Sequence, residues 1–126
     1  MDFEPRYSPE QERFREEVRA WLTNNVPENL DRPADDAEIT YQSYQAYRHL
    51  GRLLGERGWL WPTAPEEYGR GGLSIDHAVV IEEELDRYEL TLPPYYDSGG
   101  RLGGASILVW GTEDQKRHFL PPIFRG

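Results

Sequence analysis

The chain has 126 residues, no cysteine and a formal net charge of −9; 37% of its residues are apolar, 29% charged and 13% aromatic. That length suits one domain around one hydrophobic core, and the aromatic content argues against disorder. The acidic balance argues against a sequence-independent nucleic-acid binder and against docking on anionic membrane, and the lack of cysteine excludes disulfides, thiolate nucleophiles and Cys-ligated zinc.

The first helix starts after Ser8. Pro9 suits the first helical position, and Gln11 completes a capping box with Ser8. Phe14, Val18, Trp21, Leu22 and Val26 recur at helical spacing, and Asn24, Asn25 and Pro27 end the run. Glu28 to Asp36 is polar, acidic and proline-containing and reads as a loop. A second helix is predicted over Ile39 to Arg57, with Gly58 as its terminating glycine. Gly51 and Gly55 within it either are tolerated or let another backbone come close.

Pro65 to Gly72 is a turn-rich loop. It fits neither the Walker nor the dinucleotide pattern, so phosphate cradling is the weaker reading. Ser74 opens a third helix over Ile75 to Tyr88. Its Glu82, Glu83 and Glu84 diverge by about 100° per residue, which predicts a solvated acidic face with one or two ion pairs. A fourth helix is expected over Tyr96 to Trp110, despite Gly99, Gly100, Gly103 and Gly104, with Gly111 as its stop. Thr112 and Gln115 form a second capping box and open a fifth helix through Leu120, ended by Pro121 and Pro122. No segment reads as a strand. The predicted fold is therefore all-α, a compact bundle of about five helices over residues 1–126.

Chemistry is sparse. His49, His77 and His118 lack metal-ligand spacing, so no metal site is expected. No nucleophile elbow surrounds Ser98, and no carboxylate pair emerges from Glu82 to Glu84. No apolar run approaches the roughly 18 residues of a membrane span. The N-terminus lacks a signal peptide's basic-then-apolar order. A soluble, cytoplasmic protein is the expectation.

The ordered punctuation is more telling. Gly58-Trp59, Pro65-Glu66-Glu67-Tyr68-Gly69, Gly72-Leu73-Ser74 and Glu83-Glu84-Leu85-Asp86-Arg87 follow one another. Then come Gly111-Thr112-Glu113-Asp114-Gln115-Lys116 and Phe119-Leu120-Pro121. In this order they resemble the N-terminal α-helical domain of the acyl-CoA dehydrogenase family, from Ser8 to Gly126. Arg70 interrupts the glycine pair usual after the tyrosine.

The resemblance implies an oligomeric FAD-dependent oxidoreductase of fatty acid or lipid metabolism, with an acyl-CoA substrate. In such enzymes a carboxylate removes the α-proton and the flavin takes the β-hydride. The middle β-domain and C-terminal helical domain that carry this chemistry are not in this sequence. No catalytic residue is therefore assigned, and the chain alone is expected to be inactive and to bind no FAD. The family's N-terminal domain helps wall the acyl cavity, and the matching residues here are Tyr95, Ser98, Gly99 and Leu102. The four glycines nearby suggest a branched or bulky acyl group, or else close packing of a neighbouring helix. The competing expectation is a free-standing, non-catalytic helical module or a subunit of a split acyl-CoA dehydrogenase.

Overall fold

The computed structural model describes residues 4–69, 71–90 and 97–126, without the side chains of Asp36, Asp97 and Ser98. Among the described residues five α-helices run in order: α1 (Pro9–Asn25), α2 (Tyr41–Arg57), α3 (Ile75–Arg87), α4 (Ala105–Trp110) and α5 (Glu113–Arg125). A π-helical segment, Asp97–Gly104, leads directly into α4, and short 3-10 turns lie at Asp36–Glu38 and Glu66–Tyr68. Among the described residues there is no strand.

Local chemistry sets most boundaries. The Ser8 hydroxyl accepts from the Gln11 amide at 3.1 Å while the Gln11 side chain accepts from the Ser8 amide at 2.9 Å. The same reciprocal pair forms between Thr112 and Gln115. Both satisfy amides that a helix start would otherwise leave unpaired. α2 begins two residues later than the pattern predicts, because the Thr40 hydroxyl caps the Ser43 amide and fixes the start at Tyr41. It ends as expected at Gly58, whose φ of 78° is the left-handed conformation glycine adopts freely. α3 ends at Arg87, one residue before the predicted Tyr88.

The last helix departs most from expectation: α5 continues through Pro121 and Pro122 to Arg125. A helix without two amide donors loses two backbone bonds. The turn beyond them is held by tertiary packing instead. Leu120 and Phe124 are buried on either side of the prolines, and Arg125 donates back to the Pro121 carbonyl at 3.2 Å.

Two apolar clusters form the interior. The larger joins Val18 and Leu22 of α1, Tyr47, Leu50 and Leu54 of α2, and Ile81 of α3. Trp59 seals it, edge-on to Phe14 and Trp21. Leu30, in the loop read as polar, is buried with them. The smaller cluster joins Ala64, Tyr68, Leu120 and Phe124. Trp61 packs against both.

Charged side chains clamp α1 to α3. Glu84 is only 1% exposed. It receives Arg15 at 3.0 Å and Arg19 at 2.8 Å, while Glu83 takes Arg15 at 2.8 Å and the Tyr7 hydroxyl at 2.9 Å. Hydrogen bonds from Arg19, then Arg15, hold the Glu84 carboxyl below the usual carboxylate range against the opposing effect of burial. The three glutamates diverge as predicted, but only Glu82 is exposed, Glu83 is half-buried and Glu84 is interior.

Candidate functional surface

The glycine-rich stretch has two faces with different work. On its inner side, a Cβ at Gly100 would overlap the Trp61 ring. A Cβ at Gly104 would stand 3.4 Å from the Phe124 ring and 3.5 Å from Ile123. The space at Gly100 is thus filled by a tryptophan side chain from outside the helices, while α5 side chains lie at ordinary contact distance from position 104. Ile107 and Leu108 continue this side onto the smaller cluster.

On the outer side, Leu102, Ala105, Ser106, Val109 and Trp110 are all exposed. Leu102 and Val109 are each 69% exposed and Trp110 86%. Trp110, Phe119 and Ile107 also line a shallow groove of about 360 Å³. Isolated exposed apolar residues are ordinary; a cluster of this kind marks a surface that meets something.

The anticipated wall residues fall as follows. Tyr95 lies outside the described residues. Ser98 belongs to the π-helical segment. Gly99 lies in the same segment and lines a groove of about 280 Å³ with Arg48, Trp61, Gly100, Pro122 and Ile123. The nearest atom to a Cβ there is Ile123 Cγ2 at 4.0 Å. Leu102 stands on the outer face and is not among the groove's lining residues. Trp61 and the outer residues of α4 were not singled out from sequence. Four consecutive apolar residues, Ile107 to Trp110, in a helix of six could have flagged the outer face, since they cannot all point inward.

Three described amides of the Pro65–Gly72 stretch have nearby backbone acceptors. Tyr68 donates to Pro65, Gly69 to Glu66 and Gly72 to Ala64. That arrangement suits a structural turn better than a phosphate cradle. The Tyr68 hydroxyl donates to Glu113 at 2.6 Å, tying the loop to the start of α5. That carboxylate pushes the Tyr68 phenol up to about 12. No group of three or more His, Asp or Glu side chains suited to a metal ion occurs among the described residues, and no described helix is long and apolar enough to cross a membrane.

Comparison with known proteins identifies the context. A family model described as "Acyl-CoA dehydrogenase, N-terminal domain" matches residues 8–126. Acyl-CoA dehydrogenase FadE26 of Mycobacterium tuberculosis is 28% identical over 120 residues, covering 95% of this chain and 29% of that protein. Acyl-CoA dehydrogenase IpdE1 of the same organism is 30% identical over 118 residues, covering 89% and 29%. The mitochondrial isovaleryl-CoA dehydrogenase of Bos taurus is 29% identical over 119 residues, covering 93% and 26%. The chain thus spans less than a third of the length of these relatives. No solved structure matches it.

Proposed function

The chain belongs to the acyl-CoA dehydrogenase family, matching its N-terminal domain, and we propose that it serves an FAD-dependent enzyme that introduces an α,β double bond into an acyl-CoA thioester. The observation that carries this reading is the family match over residues 8–126 together with the uncovered apolar face of α4. An exposed stripe of Leu102, Ala105, Ser106 and Val109 suits contact with an apolar acyl group and with the rest of the enzyme. Bound FAD would accept the β-hydride in such an enzyme. The apolar outer face fits an acyl group rather than a flavin pyrophosphate, so no flavin contact is assigned to these residues, and the base that takes the α-proton is placed outside this chain.

What residues 1–126 contribute is shape and dryness. In this reading Leu102, with Ala105 and Val109 beside it, walls the acyl cleft and keeps water from it, Gly99 opens onto the inner groove instead, and Tyr95 and Ser98 stay candidates on the family resemblance alone. A branched or bulky acyl group is the proposed substrate class. The printed name of the bovine relative, which specifies a branched acyl group, supports it. A cytoplasmic, oligomeric enzyme completes the proposal. If the remaining domains reside on a separate subunit, the same outer face is where that subunit docks.

Flavin titration tests the division of labour. The 126-residue chain alone should bind no FAD and oxidise no acyl-CoA. The intact enzyme that carries it should be yellow and should bleach on addition of acyl-CoA. Stoichiometric FAD binding by the chain alone, or an intact protein that no acyl-CoA bleaches, would overturn the proposal.

A further inference from the structure

We propose that Trp61 is a positioning residue: seated in the notch at Gly100, its ring sets how far the π-helical segment stands out into the acyl cleft, and hence which acyl shapes the enzyme accepts. This inference rests on the function proposed above.

Three observations carry it. The notch is specific, because glycine at position 100 leaves room for the ring and any side chain there would collide with it. The ring is held in place by packing against both apolar clusters at once, with one side of it on the groove. Its seat is also set by shape rather than by a polar tie, since its indole N–H is buried without an acceptor among the described residues. A ring wedged in this way acts as a spacer beneath the segment whose outward-facing Leu102 belongs to the proposed acyl wall. The groove beside it, lined by Gly99, Pro122 and Ile123, gives the segment room to settle if the spacer shrinks.

The two members of the pair should therefore act with opposite sign. Gly100→Ala adds a methyl group against a ring held between the two clusters, which pushes the segment outward and narrows the cleft. Trp61→Phe removes one ring of the spacer, which lets the segment settle inward and widens the cleft. Combining them should cancel.

The test uses the intact, flavin-loaded enzyme and two acyl-CoAs of equal carbon number, pentanoyl-CoA and isovaleryl-CoA. Pocket changes of about one methylene shift selectivity by roughly tenfold or more. Gly100→Ala should lower the isovaleryl-to-pentanoyl ratio of kcat/KM about tenfold, and Trp61→Phe should raise it. The double variant should return to within about twofold of wild type. Flavin content and Tm are measured alongside. If Gly100→Ala fails to fold, the rise in Trp61→Phe alone decides. Proportional loss on both substrates, or losses that simply add in the double variant, would overturn the positioning role and leave Trp61 a core residue. A flavin-loaded wild type that oxidises no acyl-CoA would instead remove the functional reading beneath it.

Discussion

Where α1 crosses α3, side chains meet side chains: Val18 and Leu22 pack towards Ile81, and Arg15 and Arg19 reach across to Glu84. Where α5 meets α2, by contrast, backbone meets backbone. A Cβ at Gly55 would overlap the Arg125 carbonyl, and one at Gly126, just past α5, would stand 3.2 Å from the Gly51 carbonyl oxygen. The first region is a conventional core that can adjust rotamers when a neighbour changes. The second has no slack, because the atoms in contact belong to the main chain or lie one bond from it. The large exposed apolar residues Leu102, Val109 and Trp110 lie elsewhere, on the π-helical segment and α4.

The contrast can be broken by mutation. Leu54→Ala, deep in the larger cluster, should cost about 2–5 kcal/mol in denaturant unfolding. A cost below about 1 kcal/mol would mean that this core is not the stabilising half. Glu84→Gln should cost about 1.5–3 kcal/mol, because it removes the charge that Arg15 and Arg19 share in the interior while Arg15 keeps its bridge to Glu83. Since the folded Glu84 carboxyl titrates below its ordinary value, the stability it adds is present above the ordinary carboxylate range and is lost as pH falls through the folded value. Wild type should therefore lose stability on acidification more steeply than Glu84→Gln; parallel curves would show that the clamp is inert. The smallest effect is expected at Trp110→Ser, with less than about 0.5 kcal/mol change in the stability of the chain alone. The same substitution should visibly reduce binding of a hydrophobic dye. Unchanged dye binding would locate the open apolar surface elsewhere.

Helix starts were legible in the sequence because a cap is a local device. Ser8 with Gln11, and Thr112 with Gln115, need nothing beyond three residues of spacing to declare themselves. Helix ends were less legible where tertiary packing overrides local cost. Pro121 and Pro122 read as a stop, yet burial of Leu120 and Phe124 carries α5 past them. Gly55 could be flagged as permitting a close approach, but which backbone approaches it is a long-range fact. The same holds for the candidate surface. The glycines at 99, 100, 103 and 104 stood out, but only the fold shows that position 100 is spent on a tryptophan 39 residues earlier.

The paired prolines inside α5 also carry a kinetic consequence. The α5 helix needs both preceding peptide bonds trans, and no cis bond occurs among the described residues. In an unfolded chain each such bond is cis about 10–30% of the time, so roughly a fifth to a half of unfolded molecules hold at least one wrong isomer there. Those molecules cannot seat Phe124 until a barrier crossed in tens of seconds is passed. Refolding should thus split into a fast phase that builds the α1–α3 core and a slow one, accelerated by a prolyl isomerase, that docks the end of α5. Replacing both prolines with alanine should remove this contribution to the slow phase.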